Sequence, residues 1–429
     1  MQLQRLEIDS YKSIIKPLVL NFSSTINILI GQNNCGKTNI IDAIDTVFHP
    51  DKDPARLHHH RADIRLYLKD QGQPLSFKQG KVESTDPKLA QSVMRLDDNS
   101  YNDFSQIDQD YRTLYQWYPG SFAKMQELLA EYFPELTLAD KALDQDAETG
   151  LPVFKENNKA ILIDRLGSGF RKIFVILLYA LHPNYPVLLL DEPEAHLHPA
   201  LIKKLTSVLS SRVTNQIVLT THSTLFIRPD NLHNLIRVVR DGQLGTHYFS
   251  LNTHGDQIDR QRLIQELNAD NLEMFFADKV LLVEGVSDRL LMRGLMDRFY
   301  HGPLEIKAIE MHGKTNVDVY IDLLQAFNIP FLVMLDKDAL GWWSDEYLRQ
   351  HGVYLGRRNR GQAIDSLRQL HIYILPNGTV EQNYPRRYQR DKKKPLNALR
   401  AARQISQAEF DSQEMKYLKQ VITALAYES

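Results

Sequence analysis

The stretch Ile26–Thr38, INILIGQNNCGKT, decides the fold. A short apolar run ends in glycine, and Gly31–Thr38 fits G-x-x-x-x-G-K-[ST] without a gap. Each part has a physical task. Glycines let backbone N–H groups curl around phosphate oxygens, and a helix opening at Lys37 adds partial positive charge. Lys37 supplies a point charge to the β- and γ-phosphates, and the Thr38 hydroxyl completes a Mg2+ shell. The INILI strand before the loop, and Ile40, Ile41, Ile44 and Phe48 on one face after it, give the strand–loop–helix context the motif needs. Predicted nucleotide contacts are therefore Gly31, Asn34, Gly36, Lys37, Thr38 and Asn39.

The other half of such a site lies downstream. Val187–Pro193, VLLLDEP, is a buried-type strand ending in two carboxylates, which places Asp191 near a metal and Glu192 near an attacking water. His222 ends the apolar run IVLTTHS and reads as a polar switch at the γ-phosphate. In this order the elements resemble the ABC ATPase superfamily in its RecF/SMC-like branch. Gly31–Thr38 resembles Walker A, Leu188–Glu192 Walker B, Glu194–Pro199 the D-loop and Thr221–Ser223 the H-loop. Leu166–Phe170, LGSGF, occupies the place of the signature motif, although it departs from LSGGQ, with Ser168 and Gly169 at a helix start. The resemblance implies that this signature completes a partner subunit's site, hence a homodimer around two ATP molecules. Gln71 and Gln73 are candidates for the Q-loop by distance alone.

A second acidic constellation follows a polar linker. Glu284 ends KVLLVEG and Asp288 lies one helical turn further on, while Asp336 and Asp338 form D-x-D after IPFLVML. Carboxyl ends of parallel strands are where open α/β sheets gather ligands. Oxygen-only ligands suit Mg2+ or Mn2+ rather than Zn2+, and a divalent ion offsets the repulsion among the carboxylates. The pattern resembles Toprim, and Toprim behind this kind of ATPase resembles the OLD-family nucleases. By that resemblance Glu381, in Gly378-Thr-Val-Glu381, is a further metal ligand, Gly313–Asn316 is a second matching loop, and one of Lys392, Lys393 or Lys394 assists the scissile phosphate.

The remaining features bound the reading. A chain of 429 residues suggests two or three domains, and its formal charge of −2 means that any nucleic-acid surface must be local. One cysteine, Cys35, argues against an internal disulfide framework, and MQLQRLEIDSYKSI lacks a signal-peptide core, so the expected location is cytoplasmic, without a membrane span. Residues 385–403 carry eight Lys or Arg against one acid, and Arg357, Arg358 and Arg360 form a second basic group. Trp342-Trp343 reads equally as a base-stacking platform or a buried cap. His58–His60 point in different directions on any regular element and do not suggest a shared ion. Cys35 sits in the phosphate loop, so its alkylation is expected to block nucleotide.

The expectation is an α/β chain: an ABC-type ATPase domain, 1–265, with a helical insertion at about 50–155 (helices around 104–117 and 121–133) and a helical segment at 160–183, then a Rossmann-like parallel Toprim domain, 266–429, with a basic C-terminal segment. It would be an ATP-regulated, Mg2+- or Mn2+-dependent endonuclease working as a homodimer or larger assembly. Two rivals stand beside it: a non-cutting ABC clamp or signalling protein, and a ribonuclease acting on RNA or tRNA, since metal and phosphate contacts are common to DNA and RNA. An accessory defence protein or a non-coding nucleic acid is a further expected partner.

Overall fold

Runs of Ile, Leu and Val buried on both faces build a parallel sheet at the centre of the first unit. The computed structural model describes residues 1–50, 62–79, 81–82, 89, 91–138, 152–156, 159–251, 267–268, 270–353 and 360–426, and its contacts separate Met1–Ser250 from Leu251–Ser429. His58–His60, Arg357 and Arg358, the linker at 252–266 and the side chains of Trp342 and Arg360 lie outside the described parts.

In the first unit the strands are β1 (Leu3–Ser10), β2 (Leu18–Asn21), β3 (Ile26–Ile30), β4 (Asp63–Leu68), β5 (Leu75–Lys78), β6 (Lys81–Val82), β7 (Val93–Leu96), β8 (Thr137–Leu138), β9 (Val153–Glu156), β10 (Lys159–Leu162), β11 (Val187–Asp191), β12 (Gln216–Thr221), β13 (Leu235–Asp241) and β14 (Gly245–Phe249). Its helices are α1 (Lys37–Phe48), α2 (Phe104–Trp117), α3 (Pro119–Tyr132), α4 (Ser168–Leu181) and α5 (Pro199–Ser211). The central sheet runs β14-β13-β3-β12-β11-β7, parallel except for the β13–β14 hairpin. An antiparallel sheet, β2-β1-β4-β5-β6, packs its apolar face on α1. Gln216 ties the two sheets: its side chain accepts from Leu3 N at 2.7 Å and donates to Leu3 O at 2.9 Å.

Two details differ from the sequence reading. The apolar stretch from 160 is not helical throughout: Lys159–Leu162 is a strand, and the helix starts at Ser168 after Gly167. The weakly patterned region after residue 50 contributes helices α2 and α3 near their expected places, but it also supplies β4 to β7, and β7 pairs parallel with β11. A four-residue strand carries too little periodicity to be read from sequence.

The second unit alternates β15 (Lys279–Val283), α6 (Val286–Phe299), β16 (Ile306–Glu310), α7 (Val317–Ala326), β17 (Phe331–Leu335), α8 (Trp342–Gln350), α9 (Arg360–Gln369), β18 (Ile372–Ile374), α10 (Lys394–Gln404), α11 (Gln407–Phe410) and α12 (Lys416–Leu425). Its sheet, β16-β15-β17-β18, is wholly parallel. Helix α6 lies against α10, where a Cβ on Gly294 would meet the Ala402 Cβ at 2.5 Å, so small residues set that close approach.

Candidate active sites

Strand register assembles the first site. Thr221 pairs with Ile30 and Asp191 with Thr220, so the phosphate loop, the acidic pair and His222 emerge side by side at the carboxyl edge. The loop needs its glycines: at Gly31, φ is 146° and a Cβ would meet the Val238 carbonyl oxygen at 2.2 Å, and Gly36 sits at φ 106° against Thr246. Asn33, Asn34, Gly36, Lys37, Thr38, Asn39, Glu192, His222 and Arg240 line one open cleft.

Lys37 is buried and folds back onto its loop, donating to Gly31 O at 3.0 Å and Gln32 O at 2.9 Å. Burial lowers its pKa, opposed by Cys35, Glu192 and Asp191. Thr38 Oγ1 donates to Asp191 Oδ1 at 3.1 Å and Thr220 Oγ1 donates to the same oxygen at 2.5 Å, while burial raises the Asp191 pKa. His222 Nε2 stands 3.0 Å from Lys37 Nζ and 2.9 Å from Glu192 Oε1. Unprotonated, that nitrogen accepts from Lys37; protonated, it donates to Glu192, so it cannot serve both at once. Glu192 itself is left-handed at φ 47°.

Two residues with no motif join this site. Lys172 on α4 is buried; its Nζ donates to the carbonyls of Ala195 at 3.0 Å and Glu192 at 3.4 Å. Arg95 on β7 reaches Asp42, Asp45 and Asp191. Neither was marked by sequence, since a single charged residue in a weak pattern carries no signal. Ser168 is exposed at the start of α4, and neither it nor Gly169 lines the chain's own nucleotide cleft. Gln71 and Gln73 are exposed in the turn between β4 and β5 and line none of it; the strand beside β11, β7, leads instead to Asp97 and Asp98. Cys35 is 5% exposed and burial raises its pKa, so its alkylation should be slow.

The second site forms at the carboxyl edge of the other sheet, where Val283 pairs with Met334 and Leu335 with Ile374. Glu284 Oε1 accepts from Asp336 N at 2.7 Å, and Asp288 Oδ2 accepts from Gly285 N at 2.9 Å. Burial, then the charge of Asp336, pushes Asp288 up to about 7; burial, then Glu284 and Glu381, pushes Asp336 up to about 7. Burial and Asp338 raise Glu284. Asp338 is exposed at the rim, held by Lys314 Nζ at 2.7 Å. Glu381 accepts from Thr379 Oγ1 at 2.6 Å and lies 3.4 Å from Lys394 Nζ. Of the three consecutive lysines, Lys394 is the one that reaches this carboxylate; Lys392 and Lys393 are exposed.

The donor set is oxygen throughout, and its mutual repulsion is what a hard divalent cation relieves, so the residues fit Mg2+ or Mn2+. Among the described residues, no three or more His, Cys, Asp or Glu side chains already converge as an ion cage. The buried Tyr384 hydroxyl, without a hydrogen-bond partner among the described residues, also feels the charges of Glu381 and Asp288. Trp343 is not a free platform: it stacks on Tyr347 and donates to Asp318 at 3.2 Å. In the basic segment, Arg387 pairs with Glu409 and Arg400 with Asp391, which leaves Arg386, Arg390, Lys392, Lys393 and Arg403 exposed.

Comparison with known proteins defines the class. Residues 275–338 match the family described as overcoming lysogenization defect protein-like, TOPRIM domain; residues 1–113 match the AAA ATPase domain family, and 96–228 the family described as "AAA domain, putative AbiEii toxin, Type IV TA system". The chain thus joins AAA ATPase domains to an OLD-like Toprim domain and is homologous to OLD nucleases. Among particular relatives, OLD nuclease of Thermus scotoductus (strain ATCC 700910 / SA-01) is 26% identical over 207 residues, 45% of this chain and 39% of that protein. Endonuclease GajA of Bacillus cereus (strain HuB5-5) is 24% identical over 228 residues, 43% and 32% of the two chains. The matched part spans 39% and 32% of the length of these relatives. The Smc head crystallised with the C-winged helix domain of ScpA covers 59% of this chain and 99% of its own, at 17% identity and a TM-score of 0.46. Among the described residues no helix is long and apolar enough to cross a membrane.

Proposed function

We propose that the chain is an ATP-regulated, divalent-metal-dependent endonuclease, with DNA as the first substrate to test. The observation that carries this is the placement of Glu284, Asp288, Asp336 and Glu381 about one carboxyl edge: Glu284 accepts from Asp336 N at 2.7 Å, Asp288 lies in the first turn of α6, and Lys394 stands 3.4 Å from Glu381. Glu284, Asp288, Asp336, Asp338 and Glu381 would hold Mg2+ or Mn2+, which supplies an activated water and charge neutralisation at the scissile phosphate. Lys394 orients that phosphate, and the exposed basic residues of 386–403 hold the flanking backbone.

In the ATPase unit, Gly31, Asn34, Gly36, Lys37 and Asn39 would cradle the phosphates, and Thr38 and Asp191 would hold Mg2+. Glu192 positions and deprotonates the attacking water, and His222 passes between Lys37 and Glu192 as the γ-phosphate comes and goes. Ser168 and Gly169 would complete the site of a second copy, which makes the working form a homodimer. The nuclease names of OLD nuclease and endonuclease GajA support the cutting activity; a place in antiviral defence in the cytoplasm, with an accessory defence protein or non-coding nucleic acid as trigger, completes the proposal.

The test is incubation of purified protein with supercoiled plasmid, single-stranded DNA and total RNA, with Mg2+ or Mn2+, with and without ATP. Cleavage present in wild type and lost in Asp336→Ala is the expected result. Cleavage that persists in Asp336→Ala refutes the assigned site.

A further inference from the structure

Arg95 leaves the edge strand β7 and meets carboxylates from two other elements. Its Nη1 is 2.7 Å from Asp42 Oδ1 and 3.5 Å from Asp45 Oδ2, both on α1, and its Nη2 is 3.8 Å from Asp191 Oδ2 on β11. Asp42 also has Lys12 at 2.6 Å and Asp45 has the His49 ring at 2.8 Å. Asp191 has no second ion pair among the described residues. Its Oδ1 is already committed to Thr38 and Thr220, so the oxygen facing Arg95 is the one left over. Thr38, Asp42, Asp45 and Arg95 line one open cleft that a dissolved ion can enter.

Asp42, Asp45 and Asp191 do not themselves converge as an ion cage. With no guanidinium between them, their repulsion would be relieved by closing on a free divalent ion, which would draw Asp191 away from Thr38. A guanidinium is suited to prevent both, because its planar fork bridges several carboxylates where an ammonium serves one. We propose that Arg95 is a positioning residue acting as a built-in counter-cation: it holds Asp191 towards Thr38 and keeps free divalent metal out of the Asp42–Asp45–Asp191 cluster, so that metal arrives only with nucleotide. The proposal rests on the ATPase reading of this site.

The test is an EPR-monitored Mn2+ titration of the full chain without nucleotide, beside steady-state ATP hydrolysis. Arg95→Met should bind one more Mn2+ per chain than wild type, and the extra ion should vanish in Arg95→Met/Asp191→Asn. Its kcat should fall by about tenfold, as for lost outer-shell partners of a metal site, with ATP affinity within about threefold. Should Arg95→Met fail to fold, Arg95→Lys keeps the charge but not the bridge, and should show weaker metal exclusion and a reduced kcat. An unchanged Mn2+ count in whichever folded variant is measured overturns the proposal, whatever the turnover. If wild type hydrolyses ATP no faster than Lys37→Ala, the ATPase reading is what fails, and the Mn2+ count still judges Arg95.

Discussion

Lys394 lies at the first position of α10, 3.4 Å from Glu381, whereas Lys392 and Lys393 precede the helix and face solvent. Successive side chains at a helix start diverge by about 100°, so adjacent lysines have separate fates. Lys394→Ala should therefore lower the cleavage rate by about a hundredfold at saturating nucleic acid, the order lost when a charge stabiliser of a developing oxyanion is removed. Lys392→Ala/Lys393→Ala should weaken binding and flatten its salt dependence while leaving the saturated rate near wild type. Single-turnover cleavage against substrate concentration checks both, and equal behaviour of the two variants would remove Lys394 from its role. Sequence alone could not make this choice: the three lysines share one composition and one spacing to Glu381 within two residues. Lys37, Asp191, Glu284 and Asp336 were legible because each ends an apolar strand or opens a helix, positions that fix where a side chain goes. Lys172 and Arg95 were not, because what matters in them is a partner far away in sequence.

At the scale of elements, the parallel strands do for the acidic site what no single residue does. They bring Glu284 and Asp336 to neighbouring strand ends, and the first turn of α6 adds Asp288. The result is a carboxyl group held at about 7 against an ordinary 3.8. An acid raised in this way is protonated in the folded chain while already ionised in the unfolded one, between about pH 4 and pH 7. The folded state binds more protons across that window, so stability is lost as pH rises through it and the loss is complete above the folded value. Chelator-treated protein should accordingly melt several degrees lower at about pH 8 than at about pH 5.5. Asp288→Asn should remove part of that difference, and Mg2+ should narrow it in wild type. Scanning calorimetry across pH decides the matter: a slope identical in Asp288→Asn and wild type would show that this carboxyl is not held up by its neighbours. The order of elements was legible here because β15 to β17 are five-residue strands rich in apolar residues, KVLLV, IKAIE and FLVML, that alternate with helices. Strand β7 was not, since Val93–Leu96 is short and its burial comes from lying beside β11.

At the scale of the whole molecule, the position of Ser168, proposed above as a signature residue, carries the argument for the proposed dimer. Ser168 is exposed and lines no part of its own chain's nucleotide cleft, while Lys37 lies within that cleft. If a two-fold dimer makes each site from the Lys37 of one chain and the Ser168 of the other, the two defects become complementary. Ser168→Arg and Lys37→Ala should each abolish hydrolysis as homodimers, and Ser168→Arg should still bind ATP. Mixed and allowed to exchange, half the dimers are heterodimers, and each contains one intact site, built from the Lys37 of the Ser168→Arg chain and the Ser168 of the Lys37→Ala chain. Activity should then return to roughly a quarter of wild type if the two sites turn over independently. Recovery well above that would mean that a dead site still helps its neighbour, and recovery well below it that both sites must fire together. No recovery at all, with heterodimers confirmed by mass photometry of size-tagged chains, would place the signature in cis and withdraw the shared-site dimer from the proposed function.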